Sequence, residues 1–182
     1  MKTEKQIVDY NQFNIILQRL SYQLIEKHID FSNTVLLGIQ PRGVELMNRI
    51  CSKLRIISDG LIVNHGSLDI TFFRDDFGRR SNPIQARKID IPCSLEGKHV
   101  VLIDDVLFTG RSVRSALDAV ITFGRPKSVE LLTLINRRFS RDLPIQPNYV
   151  GKTIDIIESE KVIVEWREQQ GIDRVLMRKS NS

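Results

Sequence analysis

Cysteine is scarce in this chain, with only Cys51 and Cys93 among 182 residues. Two thiols build no disulfide framework and show no paired metal-ligand spacing, so reduced thiols in a cytoplasmic setting are expected. Histidine is equally sparse, and His28, His65 and His99 share no ligand spacing, which argues against a histidine-built zinc centre. Ser67, Ser112 and Ser115 lack the nucleophile-elbow context of a hydrolase. No window approaches the roughly 20 apolar residues needed to span a bilayer. Met1 to Asn11 carries lysines but no apolar run, so nothing there marks the chain for export. Tryptophan occurs once, and Trp166 sits in a strand-like stretch where packing is the expected role rather than base stacking. Internal repeats and linkers are absent, and Lys179 to Ser182 is expected to fray.

What remains is ordinary globular material, 41% hydrophobic and 27% charged, long enough for a full core in one domain spanning residues 1–182. The net charge of +5 favours anionic partners, a condition met equally by phosphorylated small molecules and by RNA.

Periodicity sets the fold class. Phe13, Ile16, Leu17, Leu20, Leu24 and Ile25 mark one helical face, and a strand follows at 34–39. Val44, Met47, Ile50, Cys51 and Leu54 mark a second helix. A strand pair is expected at Leu61 to Val63 and Leu68 to Phe73. An apolar strand at Val100 to Ile103 precedes a helix carrying Val113, Ala116, Leu117, Val120 and Ile121. Gly124-Arg125-Pro126 ends that helix, and Ser128 to Ile135 reads as another buried strand. This alternation predicts an α/β fold, a mainly parallel doubly wound sheet flanked by helices. Lys161 to Trp166 and Arg174 to Met177 read as short strands around Gly171, forming a small hood from the C-terminal segment.

The chemistry concentrates at Asp104-Asp105-Val106-Leu107-Phe108-Thr109-Gly110-Arg111-Ser112, between an apolar strand and an amphipathic helix. Open α/β sheets bind ligands at such strand ends. Thr109, Gly110 and Ser112 allow close backbone approach, and the N–H groups of the first helical turn can hold a phosphate. Asp104 and Asp105 can accept hydrogen bonds from vicinal ribose hydroxyls or act through magnesium. A second loop, Gly38-Ile39-Gln40-Pro41-Arg42-Gly43, has P-loop glycine spacing but continues with Val44 and Glu45 instead of Lys-Ser/Thr, so it is no Walker motif. From about 74 to 91 the chain is polar and basic, with Arg74, Arg79, Arg80, Arg87 and Lys88. A connection of that length is expected to be either disordered or a functional lid.

The motif at Asp104 to Ser112 closely resembles the 5-phosphoribosyl-1-diphosphate (PRPP) motif of type I phosphoribosyltransferases. Purine enzymes generally place an acidic residue before the Thr-Gly pair, where it serves the purine N7. Phe108 stands there instead, and the stretch resembles the PyrR family, regulators of pyrimidine operons and uracil phosphoribosyltransferases. Asp69 to Asp76, Leu143-Pro144-Ile145, Tyr149 to Lys152 and Ser159 to Val162 extend the resemblance over nearly the whole chain.

The resemblance implies the type I phosphoribosyltransferase fold and the reaction of uracil with PRPP to UMP and pyrophosphate, with Mg2+. Pro41 and Arg42 would bind pyrophosphate; Asp104 and Asp105 would hold ribose and, indirectly, the metal. Val106 to Ser112 would seat the phosphoribosyl group, and Arg74 would reach it from the lid. Arg137, with Arg138 as rival, would serve the nucleotide, and Val162 would meet the uracil edge. The family also implies UMP-dependent binding to the leader RNA of pyrimidine transcripts, here through Arg19, Lys27 and Lys152, and a homo-oligomer, dimer or higher. Two alternatives stay open: mainly an RNA-binding attenuator sensing UMP or PRPP, or an orotate phosphoribosyltransferase, for which no additional cation is evident.

Overall fold

A computed structural model describes residues 4–75, 88–156 and 160–179. In chain order the elements are β1 (Glu4–Val8), α1 (Tyr10–His28), β2 (Thr34–Ile39), α2 (Arg42–Ile57), β3 (Asn64–Leu68) and β4 (His99–Leu107). They continue as α3 (Arg111–Ile121), β5 (Ser128–Arg138), β6 (Tyr149–Asp155), β7 (Glu160–Glu165), α4 (Arg167–Gln170) and β8 (Arg174–Lys179).

Five strands form a parallel sheet in the order β3-β2-β4-β5-β6. Its central strands are apolar on both faces, because helices cover both. Leu36, Val101, Ile103, Leu132 and Leu134 pack with α1 and α2, whereas Val35, Leu37, Val100, Leu102 and Leu131 pack with α3. Alternate residues of one strand therefore serve two cores. Asp9 starts α1 with a capping box: its carboxylate accepts from the Gln12 amide at 2.8 Å, and the Gln12 side chain accepts from the Asp9 amide at 3.4 Å. No helix among the described residues is long and apolar enough to cross a membrane.

The hood is a second, antiparallel sheet in the order β1-β8-β7. Its C-terminal hairpin matches the sequence expectation, and the N-terminal segment adds an edge strand that polar Glu4-Lys5-Gln6 gave no reason to expect. Trp166 is buried in packing, edge-on to Phe13 of α1 at 5.4 Å between ring centroids.

The expected strand pair at Leu61 to Phe73 is corrected. Leu61 to Val63 is a connector with Ile62 86% exposed, and β3 takes its register from β2, Val35 opposite Asn64 through Ile39 opposite Leu68. Asp69 then accepts from the Thr71 amide at 2.9 Å, a local turn that ends the strand, and 71–73 forms a 3-10 turn. β4 runs past the expected Ile103 to Leu107, because it keeps pairing with β5 as far as Asn136 after β2 has ended.

Candidate functional site

The loop expected to hold phosphate lies where β4 hands over to α3. Gly110 is the N-cap of α3 at φ 93°, a left-handed conformation that glycine adopts without steric cost, and an added Cβ there would stand 3.2 Å from Ile145 Cδ1. Glycine offers no capping side chain; the Arg111 amide reaches only the Thr109 hydroxyl, at 3.4 Å, and the first turn of α3 borders a cleft. The cleft has a volume of about 200 Å³ and is lined by Arg74, Asp104 and residues 106–113. Backbone donors, a helix N-terminus and Arg74 converge on one small cavity, which is the chemistry of a phosphate seat.

Because Asp104 and Asp105 are consecutive in a strand, they face opposite ways. Asp104 lines the cleft, and burial, followed by the Asp105 charge, pushes its carboxyl well above the usual carboxylate range despite Arg42. Asp105 is buried on the other side, where its carboxylate accepts from Arg42 Nε at 2.5 Å. The sequence grouped the two carboxylates; in this structure they divide between the cleft and Arg42. Arg42 opens α2 directly after its N-cap, Pro41, and also donates to the Val164 carbonyl of the hood. Gly43 makes this junction possible: a Cβ there would lie 2.1 Å from the Ile103 carbonyl oxygen.

The hood side of the site is cationic and aromatic. The Arg137 guanidinium stacks on the Phe108 ring, 3.9 Å from its centroid. Arg137 is only 5% exposed, and its Nε and Nη2 have no hydrogen-bond partner among the described residues. These two N–H groups form one edge of the guanidinium fork. Burial lowers the Arg137 pKa, and the Glu160 charge opposes that shift. Arg138, the rival, points outward and forks onto Asp155 at 2.7 and 2.8 Å. Val162 sits half-buried in β7, opposite Met177.

Arg111 lies exposed at the mouth, bound to Asp75 and, at 2.9 Å, to Asp142. Arg141 follows Arg137 and Arg138 closely in the sequence and turns inward. It donates to the carbonyls of Leu107, Phe108, Arg137 and Ile145 and to Asn136 Oδ1, tying the ends of β4 and β5 together. Nothing in a run of arginines distinguishes the one that turns inward. Of the expected lid, Arg79, Arg80 and Arg87 lie outside the described residues. Its far root is anchored, with Gln40 Nε2 donating to the Lys88 carbonyl at 2.8 Å and Asp90 bridged to Ser67.

Residues 3–169 match the phosphoribosyl transferase domain family. The chain is 41% identical over 178 residues to the bifunctional protein PyrR of Enterococcus faecalis, covering 98% of each. It belongs to the PyrR family of phosphoribosyltransferases. The PyrR of Chloroflexus aurantiacus is 42% identical over 177 residues, 97% of this chain and 96% of that one. Among solved structures, the hypoxanthine phosphoribosyltransferase of Staphylococcus aureus superposes with a TM-score of 0.71 at 20% identity, over 98% of this chain and 92% of that one. That of Trypanosoma cruzi gives 0.72 at 15% identity over 97% of each. Such likeness shows the type I phosphoribosyltransferase fold.

In this PyrR-family chain the three cations expected to face RNA lie on α1 and β6, and each also has an internal partner. Arg19 donates to the Val150 and Gly151 carbonyls at 3.0 and 2.5 Å, and Lys152 Nζ donates to the Ile7 carbonyl at 2.7 Å. Lys27 lies 3.4 Å from the Glu130 carboxylate.

Proposed function

We propose that this chain transfers phosphoribose from PRPP to uracil, giving UMP and pyrophosphate. The observation that carries this reading is the Phe108–Arg137 stack beside the phosphate loop. A phenyl ring offers no carboxylate to a purine N7, and the unpaired Arg137 edge offers N–H donors to carbonyl oxygens, of which uracil has two.

In the reaction the C1′–oxygen bond to pyrophosphate breaks as the bond to uracil N1 forms, through an oxocarbenium-like ribosyl centre, and the N1 proton passes to the departing pyrophosphate or to water. The loop at 109–112 anchors the 5′-phosphate, Asp104 accepts from ribose hydroxyls, and Arg42 neutralises the departing pyrophosphate. Val162 borders the uracil edge from the hood, and Arg74 closes the phosphate side, reducing water access to the ribosyl carbon. Among the described residues no group of three or more His, Cys, Asp or Glu side chains forms a metal cage. Asp104 beside the phosphate seat fits Mg2+ bound mainly through the diphosphate and water, the usual habit of that ion. When bound, it supplies charge neutralisation of the leaving group.

The test is consumption of uracil, hypoxanthine and orotate by the purified protein with PRPP and magnesium. Uracil alone is expected to turn over; faster use of hypoxanthine or orotate overturns the reading.

A second activity, UMP-responsive binding of pyrimidine-leader RNA, is favoured by one feature. Beside Arg19 and Lys152 lies a cleft of about 330 Å³ lined by Asn136, Arg138, exposed Phe139 and Val150. Cations next to an exposed ring suit single-stranded RNA. Titrating the organism's own pyrimidine leader with and without UMP at several salt concentrations tests it. Arg19→Ala and Lys152→Ala should each weaken binding and flatten its salt dependence. UMP-enhanced binding unmoved by both removes this surface, and absence of specific binding leaves only the enzyme.

A further inference from the structure

Helix α2 turns one polar face to the hood, through Arg42, Glu45 and Arg49 at helical spacing. Arg42 donates to the Val164 carbonyl, and Glu45 accepts from Gln169 Nε2 at 3.3 Å. Arg49 does most. Its Nε and Nη2 donate to the two oxygens of Glu168 at 2.9 and 2.8 Å, and its Nη1 and Nη2 donate to those of Asp173 at 3.0 and 2.8 Å. Both usable edges of the guanidinium are thus filled. Asp173 is 2% exposed and also accepts from the Arg167 amide at 2.8 Å. The Arg49 guanidinium lies 6.0 Å from the Trp166 ring centroid.

Glu168 and Asp173 stand on the connection between β7 and β8, so Arg49 grips the hairpin at its turn. Val162 lies three residues up β7 from Glu165, about 10 Å at strand rise. A tilt of a few degrees at the turn therefore moves Val162 by on the order of 1 Å, a displacement that can change catalytic efficiency about a hundredfold. The Asp173 half of this cluster is buried and the Glu168 half exposed; ion pairs of either kind contribute little net stability, whereas four directed bonds fix orientation. We propose that Arg49 is a positioning residue for the base site, a clamp that sets the β7–β8 hairpin, where Val164 meets Arg42, through Glu168 and Asp173. The proposal rests on the uracil-transferase reading for the identity of the base.

The test is steady-state kinetics of full-length Arg49→Lys and of the milder Glu168→Gln, with thermal melts and amide exchange. Lysine keeps the charge but cannot fork onto two carboxylates. Arg49→Lys is expected to raise KM for uracil about tenfold with KM for PRPP within about twofold, and to speed exchange in β7 but not in α3. Glu168→Gln should raise KM for uracil about threefold and decides the matter if the lysine variant fails to fold. A folded variant with a lower melting temperature but unchanged KM for uracil, or with equal rises for both substrates, overturns the clamp. If the wild type uses another base, the substrate reading falls while the clamp is judged by the same criteria on that base.

Discussion

Neighbouring residues in β4 serve different ends. Asp104 sits half-buried in the cleft, where burial and then the Asp105 charge push its carboxyl upward, and Asp105 is tethered to Arg42. A carboxyl whose folded pKa lies above its unfolded value of 3.8 adds stability at low pH, and that contribution is lost as pH rises through the folded value. Ionised Asp104 is therefore a burden on the empty fold at neutral pH. Asp104→Asn is expected to raise the melting temperature at pH 7, with the gain vanishing below about pH 4. On the proposed reading the same change should lower uracil turnover on the order of a hundredfold, because an amide presents one acceptor and one donor where the carboxyl would take both ribose hydroxyls. Melts across pH and kcat/KM measurements check both halves; full activity in the variant would remove Asp104 from the site.

At the other end of the sheet, α1, β5 and β6 meet through a buried polar network. Tyr149 donates to Glu130 at 2.5 Å, His28 Nε2 lies 3.3 Å from the same carboxylate, and His28 Nδ1 lies 3.0 Å from Thr34 Oγ1. Burial lowers the His28 pKa below its ordinary 6.5, against the pull of Glu130. Burial acts to raise Glu130, but Tyr149, His28 and Lys27 outweigh it and hold the carboxyl below its ordinary value. Both groups contribute stability that is complete above their unfolded pKa values and is lost as pH falls through the folded ones. Urea midpoints should therefore decline below about pH 6.5 and again below about pH 4.5. In Glu130→Gln the lower of these declines should shrink, at a cost of about 1–3 kcal/mol near pH 7. The network was illegible in the sequence, since residues 28, 130 and 149 share no local pattern. β6 was missed as a strand for a related reason: Lys152, Thr153 and Asp155 dilute its alternation, and β5 supplies the partner that makes it one.

Across the whole molecule, the contacts that join the hood to the core are of different kinds, among them the directed bonds of the Arg49 clamp and the Phe13–Trp166 ring pair. Phe13 has no exposed surface, so its removal leaves a cavity at the junction of α1 and the hood. Phe13→Ala is expected to cost about 3–5 kcal/mol in denaturant unfolding. Loss of less than about 1 kcal/mol would show that the junction repacks freely.

Local signals in the sequence determined much of this. Val100 to Ile103 with the helical spacing of Val113 to Ile121 determined a strand, loop and helix, and Thr109-Gly110 determined where the loop between them must turn. Strand parity alone separates Asp104 from Asp105, because neighbouring side chains in a strand point oppositely. Tertiary structure decided which partner each acquired: Arg42 for Asp105, the cleft for Asp104, the Phe108 ring for Arg137 and solvent-facing Asp155 for Arg138. It also decided that β1 closes the hood and that Arg49 grips it. The physical reason is range. Propensity and periodicity act within a few residues, whereas these contacts join positions far apart in the chain, and only the packed sheet and its helices bring them within hydrogen-bonding distance.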